Sequence, residues 1–282
     1  MLTAGDRRTA VLGSPIGHSL SPALHRAAYR AMALDHWSYG AYEVHASDLR
    51  GFVTALGPEW AGLSLTMPLK EVAFQVAGEV SDLAREVGAI NTLVRGPDGD
   101  WSGHNTDVYG VSQALREAGV DDVESSLVLG SGATARSVVA ALATLGCRRV
   151  TFAVRSVGRP ETLDQARRAG LEVEVVRLGQ FAGRFGDTSL VISTLPANSL
   201  SDIELEDLMP AGLRLPDHLL LDVVYSGWPS PLARAFMDAG ARVRSGFEML
   251  LHQAAEQVHL MTGVPAPVEE MRAAGLAAMG LR

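Results

Sequence analysis

The chain has almost no cysteine and almost no lysine. Cys147 stands alone among 282 residues, so no disulfide can close within the chain and no multi-cysteine metal site can be built. The start, Met1 to Arg8, is short and polar and lacks the apolar core of a secretory signal. A cytoplasmic location is the resulting expectation. No run of about 18 apolar residues occurs, so no membrane span is expected. Positive charge is not in excess either: 24 Lys+Arg against 32 Asp+Glu give a net charge of −8, whereas nucleic-acid binding calls for a broad basic surface. Neither nucleic acid nor membrane is an expected partner, which leaves small molecules. Aromatic residues are sparse at 6%, yet 47% of the chain is hydrophobic and 20% charged, a composition that buries a sizeable core. The length suits one large domain or two of ordinary size.

Only Lys70 is lysine, which leaves 23 arginines (24 − 1). A genome rich in G and C explains the arginines but not the exception. Arginine stays protonated at any ordinary pH, whereas lysine can hand over a proton where its surroundings favour the neutral form. Lys70 is therefore a candidate proton-transfer group.

Apolar periodicity organises the rest. Thr9 to Leu12 predicts a buried strand ending at Gly13. Ser21-Pro22 predicts a helix start, with Ser21 as cap and Pro22 at the first helical position, and the helix running to about Leu34. Further strands are expected at 37–44 and 61–65, and helices from Ser47-Asp48 to about Leu56, from Pro68, and from Ser81 toward Val87. Ala89 to Val94 and Trp101 predict a hairpin about Gly96-Pro97-Asp98-Gly99. This is an open α/β domain. Thr106 then caps a bridging helix over 107–118, ended by Gly119. Strands at 126–129, 149–154, 172–176, 190–193 and 219–224 alternate with helices reaching about Leu145 and spanning 160–169. Such alternation implies a parallel, doubly wound sheet. The tail is helical over 247–261 and 268–279 and is expected to return to the first domain. Domain limits are placed at 1–106, 107–245 and 246–282.

The strand Leu127-Val128-Leu129 runs into Gly130-Ser131-Gly132-Ala133-Thr134-Ala135, a G-x-G-x-x-A turn. The first glycine permits the tight turn, the second lets a pyrophosphate approach the backbone, and Ala135 lets the helix lie close to the strand. The free N–H groups of the helix then face the phosphates. NAD sites carry an acid at the tip of the next strand, but here Val154-Arg155-Ser156 is followed by Arg159, with no acid. Arg155 can meet a 2′-phosphate and Ser156 can donate to it, which favours NADP(H) over NAD. The bland alternative for Arg155 is a solvated surface arginine.

Four polar pieces recur at strand-to-helix junctions of the first half: Gly17-His18-Ser19-Leu20-Ser21-Pro22, Thr66-Met67-Pro68-Leu69-Lys70-Glu71, Gly88-Ala89-Ile90-Asn91-Thr92 and Asn105-Thr106-Asp107. They offer hydroxyls, amides, one ammonium and one carboxylate, a set suited to a small polyhydroxylated anion. In this order, and with Ser193-Thr194-Leu195-Pro196, Asp222-Val223-Val224-Tyr225 and Gly246-Phe247-Glu248-Met249-Leu250 plus Gln253, they resemble the shikimate dehydrogenase family from about Ala10 to Gly263. The resemblance implies reversible reduction of 3-dehydroshikimate to shikimate by NADPH, a step of chorismate and aromatic amino acid biosynthesis. It implies that Ser19 and Ser21 hold the carboxylate, that Thr66, Asn91, Asp107 and Gln253 hold ring hydroxyls, and that Lys70 and Asp107 form the catalytic pair. Tyr225 is placed on the substrate side near the nicotinamide, beside Gly246. The cofactor set is Gly130, Ser131, Gly132, Ala133, Thr134, Arg155, Ser156, Arg159, Thr194, Val224, Gly246 and Met249.

Chemistry agrees with the pair. Adding hydride to a carbonyl makes an alkoxide, which needs a proton and a positive neighbour. A carboxylate at a helix N-terminus, as expected for Asp107, is favoured by the helix dipole. Departures from the family pattern are Ser64 for a usual Asn, Ala133 for a third Gly, Val108 for a Gly and Val154 for an Asn. His18, His25, His104 and His252 show no ligand spacing, so no metal is expected. A quinate or aminoshikimate dehydrogenase using NAD or NADP is the near alternative. A folate-type dehydrogenase would lack the serine pair, and a ligand-binding protein on a retained scaffold would lack Lys70 or Asp107. Monomer and homodimer are both compatible with the sequence.

Overall fold

The computed structural model describes residues 5–197 and 199–281, so residues 1–4 of the polar start lie outside the described part. Contacts divide the chain into two units, Met1–Gly110 with Leu251–Arg282, and Val111–Leu250.

In the first unit β1 (Arg7–Gly13) pairs in parallel with β2 (Trp37–Glu43) and β3 (Trp60–Leu65). β3 pairs antiparallel with β5 (Thr92–Arg95), and β5 with β6 (Trp101–His104). A short β4 (Glu79–Val80) runs parallel to β6 at the edge. Every residue of β3 is buried, as an inner strand covered on both faces requires. Leu12, Leu63, Leu65, Leu69, Ile90 and Leu93 form the centre of the core. The helices are α1 (Ser21–Ala31), α2 (Leu49–Thr54), α3 (Leu69–Val72) and α4 (Asp82–Val87). Ser81 caps α4, accepting from the Ala84 N–H. The expected hairpin is present, Arg95 opposite Trp101.

The start of α1 corrects the sequence reading. Leu20 is the cap residue and Ser21 the first helical residue. Ser19 Oγ accepts from the Ser21 N–H at 3.3 Å, so the first serine does the capping expected of the second. The helix stops at Ala31, short of Leu34.

The chain leaves this unit within α5 (Asp107–Glu117) and returns within α10 (Phe247–Thr262). From the return onward the tail belongs to the first unit, where α11 (Val268–Ala278) lies on α1.

The second unit is a six-stranded parallel sheet in the order β12-β11-β10-β7-β8-β9. Its strands are β7 (Ser125–Leu129), β8 (Arg149–Val154), β9 (Glu172–Arg177), β10 (Leu190–Ser193), β11 (Leu219–Asp222) and β12 (Arg242–Ser245). Counted within the unit this is the doubly wound order, with the reversal between β7 and β10. β10 and β11 are buried throughout, while the outer β12 alternates exposed and half-buried residues. α6 (Ala133–Thr144) is buried continuously from Ala135 to Leu142, Arg136 and Ser137 included, so it is covered on all sides. α7 (Pro160–Arg168) follows β8, α8 (Asp202–Leu208) follows β10, and α9 (Pro231–Asp238) follows β11. β4, α8, α9 and β12 fall outside the series expected from the sequence. The two strands are short or charged, and the two helices are brief, so periodicity carries little signal there.

Candidate active site

Sheet register assembles the first-unit cluster. Ser64 of β3 lies opposite Thr92 of β5, and Thr92 opposite His104 of β6. Asn91 precedes Thr92, so its backbone bridges both neighbours: its carbonyl accepts from Leu65 N at 2.7 Å and its N–H donates to the His104 carbonyl at 3.0 Å. The chain beyond Leu65 enters Thr66 and α3, and beyond His104 it enters Asn105, Thr106 and α5. Two helix starts are thereby drawn to one amide.

Lys70 on α3 donates from Nζ to Asp107 Oδ2 at 2.5 Å. The other carboxylate oxygen accepts from Asn91 Nδ2 at 2.8 Å. The side chains are 17% and 6% exposed, so the pair is sheltered while the ammonium stays reachable. Asn91 is held from both ends. Its Oδ1 accepts from the Thr106 N–H and from Thr92 Oγ1, both at 2.8 Å, and its Nδ2 lies 2.9 Å from Thr106 Oγ1 and 3.4 Å from Gln253 Oε1. Thr106 thus spends its hydroxyl on Asn91, and Asn105 Oδ1 accepts from Val108 N at 3.3 Å in the first turn of α5. Thr66 precedes α3, its carbonyl accepting from Leu69 N at 2.8 Å. Ser19 and the buried Ser21 sit at the β1–α1 junction. Lys70, Asn91, Asp107 and Gln253 are brought together directly.

Behind them runs a line of buried groups in which Tyr39 and Gln257 are new and Ser64, noted only as a departure from the family pattern, finds its partners. Tyr39 donates to Ser64 Oγ at 2.7 Å, and Ser64 to Gln257 Oε1 at 2.7 Å. Gln257 Nε2 donates to Thr92 Oγ1 at 3.0 Å and to the Asn91 carbonyl at 3.2 Å. Gln257 stands one helical turn after Gln253 on α10, and that i, i+4 spacing is the signal that could have found it. His25 stacks on Tyr39 with ring centroids 3.9 Å apart and bonds through Nδ1 to the Ser21 carbonyl at 2.9 Å. Burial holds its pKa down at about 4. It is a neutral core ring.

In the second unit the expected cofactor residues lie at the C-terminal ends of the strands. Gly130 turns the chain after β7 with φ +93°, and a Cβ there would come within 2.7 Å of Thr194 Oγ1. Thr194 follows β10 and donates from Oγ1 to the Leu129 carbonyl at 2.7 Å. Gly132 caps α6 with no side-chain bond to the helix N–H groups, unlike the serine-capped α8 and α9. Around it there is open space, and Ala133 and Thr134 form the first turn. Ser131 Oγ accepts from the Arg159 N–H at 3.1 Å, which ties the turn to the tip of β8, where Ser156 lies exposed. After β11, the Val224 carbonyl accepts from Gly246 N at 3.1 Å. Gly246 approaches so closely that a Cβ would fall 2.0 Å from the Val223 carbonyl oxygen. Asp222 ends β11 buried, its carboxyl pushed up by burial while Ser230 Oγ donates to it at 2.5 Å. Burial likewise raises the Tyr225 phenol, and Met249 is buried in the first turn of α10. A narrow turn, an uncapped helix start and basic groups at the β8 tip fit a dinucleotide phosphate chain.

Residues 11–93 match the shikimate dehydrogenase substrate binding domain, and residues 246–274 the shikimate 5′-dehydrogenase C-terminal domain. The shikimate dehydrogenase (NADP(+)) of Symbiobacterium thermophilum is 37% identical over 284 residues, 97% of this chain and 95% of that protein. Against the pentafunctional AROM polypeptide of Yarrowia lipolytica identity is 33% over 266 residues, and the match takes in 92% of this chain but only 17% of that polypeptide. The crystal structure of Mycobacterium tuberculosis shikimate dehydrogenase has a TM-score of 0.85 at 42% identity, covering 96% of this chain and 99% of that one. Shikimate 5-dehydrogenase from Thermus thermophilus, in complex with NADP(H) and shikimate, has a TM-score of 0.82 at 30% identity, covering 96% and 99%.

Proposed function

The chain belongs to the shikimate dehydrogenase family, and from that premise we propose that Lys70 and Asp107 are its proton-transfer pair. The protein is an NADP-dependent oxidoreductase acting on a CH–OH group, interconverting 3-dehydroshikimate and shikimate. The first unit is the substrate-binding half. Ser19 and Ser21 take the carboxylate, and Thr66, Asn91, Asp107 and Gln253 take ring hydroxyls. The second unit is the dinucleotide half. Gly130, Ser131, Gly132, Ala133 and Thr134 cradle the pyrophosphate, and Arg155, Ser156 and Arg159 meet the 2′-phosphate. Thr194, Val224, Gly246 and Met249 line the nicotinamide side.

The observation that carries this reading is the Lys70–Asp107 contact, sheltered and pinned through Asn91. NADPH, when bound, supplies the hydride. The carbonyl oxygen then gains a proton from the Lys70 ammonium, whose charge also stabilises the developing alkoxide. In the reverse direction the neutral amine takes the hydroxyl proton. Asp107 orients the ammonium and accepts from a neighbouring hydroxyl. The lone buried Cys147 supports a cytoplasmic, reducing location. Among the described residues no helix is long and apolar enough to cross a membrane. We place the protein as a monomer or homodimer with small molecules as its only other partners.

An assay of NADP reduction by shikimate tests the pair. Lys70→Ala should lower kcat by about 10²–10⁴-fold with little change in shikimate binding. Equal turnover in variant and parent would overturn the assignment.

A further inference from the structure

Arg155 at the tip of β8 is already engaged. Its Nε donates to Glu204 Oε1 at 2.7 Å and its Nη2 lies 3.4 Å from Oε2. The same Nη2 donates to the Ser199 carbonyl. Ser199 and Glu204 belong to the segment after β10, and β7 stands between β8 and β10 in the sheet. The bridge therefore crosses the end of β7, at the strand-order reversal where dinucleotides bind in such sheets. Glu204 is not a loose surface acid. Its carboxylate accepts from the Ser201 N–H and from Ser201 Oγ, both at 2.9 Å, in a capping box at the start of α8. Val157 beside Arg155 and Ile203 beside Glu204 are 79% and 73% exposed, so both ends of the bridge present apolar surface at the rim.

We propose that Glu204 is a specificity-determining residue that narrows the preference for NADP over NAD by competing with the 2′-phosphate for Arg155. The proposal rests on the reading of Arg155 as the 2′-phosphate contact. A guanidinium has a limited number of donors in a fixed fork. A 2′-phosphate must either displace the carboxylate or share the cation with it, and sharing sets two anions side by side. NAD carries a 2′-hydroxyl instead, and to a hydroxyl the carboxylate is an acceptor. The acid missing from the β8 tip is thus supplied from the opposite side of the β7 end.

Equilibrium dissociation constants for NADP+ and NAD+, measured by calorimetry on the full chain, test this. Glu204→Gln removes the charge and keeps a side chain that can complete the capping box. It should tighten NADP+ by about threefold to tenfold and leave NAD+ unchanged or weaker. Glu204→Ala should shift the ratio in the same direction, with some loss of thermal stability from the broken cap. Arg155→Ala serves as the reference. If it weakens NADP+ alone while Glu204→Gln leaves the ratio unmoved, Arg155 holds the phosphate and the competition is refuted. If Arg155→Ala leaves the ratio unmoved as well, the failure lies in the Arg155 assignment, and the proposal falls with it.

Discussion

Asn91 makes plain how much a single amide can organise. Its two ends are chemically different, and the Thr106 N–H can only face the oxygen, so the nitrogen is turned to Asp107. The carboxylate is then fixed, and the Lys70 ammonium with it. Gln257 holds the same residue from behind through its carbonyl and through Thr92. Replacing Gln257 with Leu leaves buried partners unsatisfied and should destabilise the fold by about 1–3 kcal/mol in urea unfolding. An unchanged midpoint would mean that these bonds contribute nothing. His25 gives a second prediction. Burial holds its pKa at about 4 in the folded protein, below the ordinary 6.5 of the unfolded chain, so as pH falls the unfolded chain takes up the proton first. The stabilisation is complete above about pH 6.5 and is lost as pH falls toward about 4, by about 3 kcal/mol in all. His25→Phe should flatten the stability difference between about pH 7 and about pH 4.5 by most of that amount, and parallel curves would count against it. Lys70 was legible as the one lysine of the chain, and Asn91 and Asp107 through the motifs that resemble those of the family. Ser64 was visible only as a departure from the family pattern, and Gln257 not at all, because a serine in a strand and a glutamine on a helix look like ordinary polar positions until the register brings them together. Glu204 was hidden for another reason: S-x-x-E reads as a cap, and the cap is real.

Elements were legible where apolar runs were long. The strand–turn–helix at β7 and α6 follows directly from three apolar residues, a glycine turn and an apolar helix. α8 and α9 carried signals too, a capping box from Ser201 to Glu204 and a Ser230-Pro231 start, but the segments are seven and eight residues long. β12 had none, since an outer strand with Arg242 and Arg244 facing solvent does not alternate in hydrophobicity strongly enough to be seen. At the turn before α10, Gly246→Ala would set a methyl against backbone that cannot rotate away. It should cost about 1–3 kcal/mol of stability and weaken NADP+ binding. A variant with parent-like melting and binding would show that the backbone yields there.

At the scale of the molecule, the doubly wound order of the second unit was implied by its strand–helix alternation. In the first the antiparallel hairpin was expected, but the parallel pairing of β4 with β6 was not, because it joins strands that neither length nor pattern announces. A ligand that binds only the folded second unit must stabilise it. At about a hundredfold excess over its dissociation constant NADP+ should add about 2.7 kcal/mol to unfolding, and Lys70→Ala, which lies in the other unit, should show the same increment. Loss of the increment in that variant would contradict the division of roles. The single ε-amine of the chain has a practical corollary. Apart from the α-amine, an acylating or reductively alkylating reagent has one target in the molecule, and that target is clasped by Asp107. One added label on intact mass, appearing in step with the loss of turnover and slowed by shikimate, would turn the proton donor into its own reporter.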